Sequence, residues 1–164
     1  MPRFIAATVV VLAATATLVG CTEEKEPEPQ WTEESAYAAA EETYKSYFES
    51  SRFDATPGGA IQYVTGDLYE VQKASDERYA KHTIEVRGDT YIEEFVPQSF
   101  RTVGAEVAVE GYACINQETL ELNVDDQGWV HPDQTDVYSV DLSFASVGNE
   151  LKLANLELGG VERC

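Results

Sequence analysis

Positive charge is what this sequence has least of. Only 11 Lys and Arg stand against 30 Asp and Glu, leaving a formal net charge of −19. Such a chain has too few cations to neutralise phosphates, which excludes nucleic acid as a partner. It is equally ill suited to lying flat on anionic lipid. What the acidity does provide is a soluble, self-repelling surface. Histidine is almost missing. Neither His82 nor His131 has a cysteine or histidine at metal-ligand spacing, so the usual zinc patterns are out and no metal is expected. His131, before Pro132, reads as a solvated loop residue. No Gly-x-Ser-x-Gly elbow, phosphate-cradling glycine loop or Cys/His pair occurs, and no cofactor is expected. Long apolar runs are lacking after the first 20 residues, so nothing there could span a bilayer.

The one apolar run sits at the start. Met1-Pro2-Arg3 is followed by Phe4 to Gly20, interrupted only by Thr8, Thr15 and Thr17. One positive charge, a short hydrophobic stretch and small residues before a cleavage point are the parts of a signal peptide. Leu18-Val19-Gly20-Cys21 closely resembles the lipobox of bacterial lipoproteins. The resemblance implies a signal removed at residues 1–20 and a lipid on the Cys21 thiol. The lipid bilayer is then a partner through acylated Cys21, and the chain is exported and anchored to the outer face of the cytoplasmic membrane. Two or more acyl chains make such an anchor stable. From Thr22 to Gln30 come four Glu, one Lys and two Pro. That composition cannot bury a core, so residues 21–31 read as an acidic tether.

The cysteines follow from this. Three are awkward in an exported chain, but with lipid on Cys21 an even pair remains, Cys114 and Cys164. In the oxidising cell envelope these two are expected to form a disulfide.

Residues 32–164 read as a single domain. Thr32 is placed to cap a helix whose stripe is Tyr37, Ala40, Tyr44 and Phe48, ending near Ser50 or Ser51. The segment "DATPGG" (54–59) breaks it, and a short turn over 60–64 leads to a second helix. There Leu68, Val71, Ser75 and Tyr79 share a face. After His82 the period changes to two. Ile84 and Val86 alternate, "RGD" (87–89) turns the chain, and Tyr91 to Val96 resumes extended structure. The stretch "TVGAEVAVEGYACI" reads as one long strand. Val103, Ala105, Val107 and Val109 lie on its inner side, and Cys114 lies on its outer side. Tyr138 to Phe144 form another strand, "VGNE" (147–150) a hairpin, and a change of parity between Leu153 and Leu156 a bulge near Asn155.

Helices followed by a meandering antiparallel sheet make an α+β fold, with N-terminal helices packed on a curved sheet. The order of elements resembles the nuclear transport factor 2-like, or cystatin-like, cone. More narrowly, the chain is similar to small actinobacterial lipoproteins in its lipobox and acidic tether, its "AAAEETYKSYF" first helix, its mid-sheet "ACIN" and its C-terminal cysteine. The fold resemblance implies a pocket at the cone mouth, with Tyr37, Tyr63, Tyr91 and Trp129 as candidate ligand contacts and no catalytic residue assigned. The expected function is non-enzymatic binding of a small ligand or an envelope protein. The alternative is an enzyme of the ketosteroid isomerase or polyketide cyclase type, acting on a small apolar substrate in the cone. That chemistry needs a buried acid facing a tyrosine or acid donor. Asp141 does not qualify, since it lies on the polar side of its strand. "NVDDQGW" (123–129) has part of a calcium-loop pattern, but Gln134 stands where the bidentate Glu belongs. It reads as a turn between strands.

Overall fold

The computed structural model of the chain describes residues 31–132 and 135–164. The segments expected to be a signal peptide, a lipobox and residues 21–30 of a tether lie outside the described residues. Helix α1 spans Glu33–Ser51 and starts with a reciprocal cap. The Thr32 hydroxyl accepts from the Ser35 N–H at 3.2 Å, and the Ser35 hydroxyl accepts from the Thr32 N–H at 2.9 Å. Two of the helix's orphan donors are satisfied in this way. Glu33 and Glu34 add negative charge at the positive end of the helix dipole. Ala36, Ala40 and Tyr44 form the buried stripe, with Trp31, Tyr37, Tyr47 and Phe48 packed around it. The two alanines let the helix lie close against the sheet.

A 3₁₀ turn, Ala60–Tyr63, carries the chain to Val64, which makes a parallel bridge to Leu153. Helix α2, Asp67–Tyr79, follows. Its inward face is only in part the one the sequence suggests. Val71 is 62% exposed and Tyr79 41%, whereas Leu68, Gln72, Ser75 and Asp76 turn inward. This helix packs one apolar residue and a polar seam, so a search for an apolar stripe keeps Leu68 and Ser75 but adds the exposed Val71 and Tyr79 and misses Gln72 and Asp76.

The main sheet contains β2 (Tyr91–Val103), β3 (Glu106–Asn116), β6 (Val137–Val147) and β7 (Glu150–Leu158), antiparallel throughout in the order β2-β3-β6-β7. Pro97 is tolerated because β2 is an edge strand. Register shifts in β2 at Ile92/Glu94 and Pro97/Ser99, and between β6 and β7 at Ser143/Phe144, bend the sheet around the helices. The last of these is the bulge expected near Asn155. The expected long strand is instead a hairpin: β2 ends at Val103, and Gly104-Ala105 turn the chain into β3. Gly104 at φ +65° and Gly148 at φ +61° each take the first place of a two-residue loop, the position where a primed turn needs positive φ. Val103 pairs with Glu106 on the outer face and is 75% exposed.

A second sheet, in the order β1-β4-β5, comprises β1 (Ile84–Arg87), β4 (Glu121–Val124) and β5 (Trp129–Val130). β1 pairs with β4 rather than with the strand that follows it, so the meander begins at β2. The segment 125–128 is the β4–β5 turn, with Asp125 and Asp126 at positive φ.

Under the main sheet, Val107, Val109, Ala113, Ile115, Leu142, Phe144, Leu151 and Leu153 meet α1. Each large side chain buried there contributes about 1.5–3 kcal/mol. On the opposite face Cys114 is bonded to Cys164, their Cα atoms 5.7 Å apart. The tail is fastened at further points. Ser139 donates its hydroxyl to the Gly160 carbonyl at 2.7 Å, the Gly159 N–H donates to the Ser139 carbonyl at 2.8 Å, and Arg163 pairs with Asp141. The disulfide is therefore part of a docked C-terminus. Among the described residues no helix is long and apolar enough to cross a membrane.

Candidate ligand-binding cleft

Aromatic rings fill the space between α1 and the main sheet. Tyr44 lies 6.3 Å from Phe95, and Phe95 meets Phe144 at a steep angle, centroids 6.2 Å apart. Burial pushes the Tyr44 hydroxyl's pKa well above its ordinary value. A cavity of about 500 Å³ opens elsewhere, between the C-terminal half of α1, the loop after it, the C-terminal half of α2 and the approach to β1. That volume falls within the range typical of small-molecule sites.

Local sequence explains the opening. The chain leaves helical geometry at Arg52, and Pro57 with Gly58, at φ +83°, keeps it irregular, so the loop swings out as a wall. Arg52 holds the loop's base, donating from Nε to Asp54 at 3.1 Å and from a terminal nitrogen to the Thr90 carbonyl at 3.4 Å. Phe53 and Tyr79 face each other edge-on with centroids 5.6 Å apart, making an aromatic wall. On the other side runs a polar relay. The Tyr47 hydroxyl donates to Gln72 Oε1 at 3.0 Å, and Gln72 Nε2 donates to Asp76 Oδ1 at 2.8 Å. Gln72 and Asp76 lie four residues apart on one helix, a spacing at which side chains meet. Burial, then the charge of Asp76, pushes the Tyr47 pKa up to about 12, so this phenol stays protonated.

The second oxygen of Asp76, Oδ2, is buried and has no hydrogen-bond partner. Leaving a buried acceptor unpaired costs about 1–3 kcal/mol, and more for a charged one. At the rim, His82 Nδ1 lies 2.7 Å from Asp125 Oδ2, and the Thr83 N–H donates to Oδ1 of the same carboxylate at 2.9 Å. The His82 contact, reinforced by the Thr83 N–H, holds the Asp125 pKa below its ordinary value. Asp125 therefore ties the β4–β5 turn to the start of β1. Among the described residues no group of three or more His, Cys, Asp or Glu is placed to hold a metal.

The four aromatic residues singled out from the sequence do not converge. Tyr37 packs beside the core with its hydroxyl donating to Glu33 at 2.9 Å. Tyr63 lines a separate groove of about 390 Å³ with Trp31, Thr43 and Lys152. Tyr91 is half-exposed at the start of β2. Trp129 lies under the Arg87 guanidinium, 4.4 Å from ring centroid to Cζ. Nor is His131 merely solvated. Its ring nitrogens contact the carbonyls of Pro132 at 2.8 Å and Gln117 at 3.1 Å, and these partners, Pro132 first, raise its pKa. The residues the sequence reading missed are Phe53, Gln72 and Asp76. The one available signal was the Leu68-Gln72-Asp76 row, which places two polar residues in line with an apolar one.

No protein-family model matches this chain, and no curated protein matches it. Solved structures do resemble it. The intermembrane space region of chloroplast protein ARC6 aligns with a TM-score of 0.55 at 10% identity, over 76% of this chain and 96% of that one. At that identity the likeness is one of fold. A conserved protein from Planctomyces limnophilus aligns with a TM-score of 0.42 at 16% identity, over 77% of this chain and 99% of the other. A designed protein of the nuclear transport factor 2 type aligns with a TM-score of 0.34 at 10% identity, over 76% and 96%.

Proposed function

We propose that this chain is a membrane-anchored, extracytoplasmic lipoprotein whose folded domain binds a small ligand in the cleft between α1 and α2. The observation that carries the binding reading is Asp76. An acceptor without a partner, held in place by an amide and set beside aromatic rings, is suited to receiving a donor from outside. Binding is favoured over catalysis because the Tyr47 hydroxyl, one of two tyrosine donors lining the cleft, is committed to Gln72. An isomerase-type site would need such a donor free to stabilise charge on its substrate. The anchoring reading rests on the cysteines. With Cys114 and Cys164 joined, Cys21 is the remaining cysteine of the three, in a lipobox-like setting.

Each half has its own test. For the cleft, the full chain purified in detergent is screened against a small-molecule collection by thermal shift, and hits are retested on Phe53→Ala. Hits that stabilise the parent and lose their effect in the variant support the site; hits indifferent to Phe53 refute it. For the anchor, cells are fed labelled palmitate. The chain should take up label, and Cys21→Ala should not; an unlabelled parent chain overturns the lipoprotein reading.

A further inference from the structure

The cleft's chemistry narrows its ligand. The basic side chains lining it, Arg52 and His82, are already engaged, as is the neighbouring Arg78. Arg52 is bonded to Asp54 and to the Thr90 carbonyl, Arg78 sits over the Tyr79 ring at 5.3 Å, and His82 is bonded to Asp125. The Asp76 side chain makes no ion pair with any described residue; its one hydrogen bond comes from the neutral Gln72 amide. An anionic ligand would meet this carboxylate inside a domain of strongly negative charge. A neutral apolar one would leave Oδ2 unpaired in a site still further from water. A cation bearing an N–H satisfies both the charge and the missing hydrogen bond. The walls fit the same ligand, because Phe53 and Tyr79 offer ring surface to an apolar body and ring faces attract positive charge. Oδ2 is shielded at rest, but the last torsion of an aspartate is soft, so a donor entering the cleft can draw that oxygen towards it.

Resting on the cleft reading above, we infer that the cleft takes an organic cation: a protonated amine on an aromatic or apolar body, its N–H bonded to Asp76 and its body against Phe53 and Tyr79. The test uses two probes of nearly equal shape, phenethylammonium and 2-phenylethanol. Both are titrated calorimetrically into the full chain in detergent, with blank micelles subtracted and 0.5 M NaCl present to screen the general negative charge. The ammonium should bind at least tenfold more tightly than the alcohol. In Asp76→Asn the two affinities should fall within about threefold of each other, while Glu106→Gln, on the distant β2–β3 hairpin, leaves the preference intact. Circular dichroism verifies that each variant is folded. Equal binding of both probes by the parent, or a preference surviving in Asp76→Asn, overturns the cation assignment while leaving the cleft standing. Binding of neither probe overturns the assignment and counts against the cleft itself.

Discussion

Removing the disulfide is the perturbation whose size can be worked out most directly. Cys114 and Cys164 are 50 residues apart, and the bond removes the freedom of that loop from the unfolded chain. In the chain-entropy treatment a loop of this length is worth about 4 kcal/mol at 25 °C. For a domain of this size each kcal/mol moves the melting temperature by roughly 3–5 °C, so the Cys114→Ala, Cys164→Ala double variant should melt roughly 12–20 °C lower. The loss should also have a location. The bond fastens the 3₁₀ turn Val161–Arg163 to the outer face of β3 and β6, alongside Ser139 and Asp141. Without it those weaker contacts have to hold the tail alone. Amide exchange at Gly159 should therefore speed up more than exchange in β3. The assays are urea unfolding followed by fluorescence, and exchange mass spectrometry, on the double variant and on the parent with and without reductant. Reduced parent and variant should agree. A stability change below about 1 kcal/mol would show that the staple acts only locally and that the loop-entropy account does not apply here.

Two further outcomes are expected. Gly104→Val places a β-branched residue at φ +65° in the β2–β3 turn and should cost about 1–2 kcal/mol by chemical denaturation; an unchanged midpoint would mean the hairpin closes in some other way. Asp125 has a depressed pKa in the folded state, so what it contributes is present above its ordinary value of 3.8 and is lost as pH falls through the lower folded value. Exchange protection of the Thr83 N–H should drop over that acid range, and in Asp125→Asn the acid step should disappear; a step that persists assigns the titration to another group.

The parts of the fold legible in the sequence are those where one local signal had one meaning. Thr32 before two glutamates, with a stripe from Tyr37 to Phe48, could only be a capped helix packed on one side. Gly148-Asn149 between alternating strands gave its hairpin, and the parity change after Leu153 gave its bulge. Cys114 on the polar side of β3 was placed where Cys164 could reach it. The failures come from signals with two meanings. Val103, Ala105 and Val107 alternate as a continuous strand would, yet a two-residue turn at Gly104 sends Val103 to the outer face. Periodicity records spacing, not reversal of direction. Helix α2 was misjudged because its inner face is polar, and the cleft escaped notice for the same reason. Its walls come from a loop, two helices and the approach to β1, which only the tertiary fold brings together.

Where a ligand would sit follows from how the interior is filled. In a helix-on-sheet fold the space beneath the sheet is the obvious pocket, but here α1 presses its alanines against the strands, and Tyr44, Phe95 and Phe144 occupy what remains. Phe144→Ala tests whether that space matters for binding. The side chain is 1% exposed, and truncating it should cost about 3–5 kcal/mol, part of it from the cavity left behind. Phe144 does not line the cleft, so a variant that remains folded should bind cleft ligands within about twofold of the parent, measured by calorimetry at a temperature where both are native. Phe53→Ala removes one of the cleft's aromatic walls and should behave in the opposite way, with little change in stability and a large loss of affinity. If Phe144→Ala weakened binding as much as Phe53→Ala did, the ligand would have to lie under the sheet, and the site between α1 and α2 would be the wrong one.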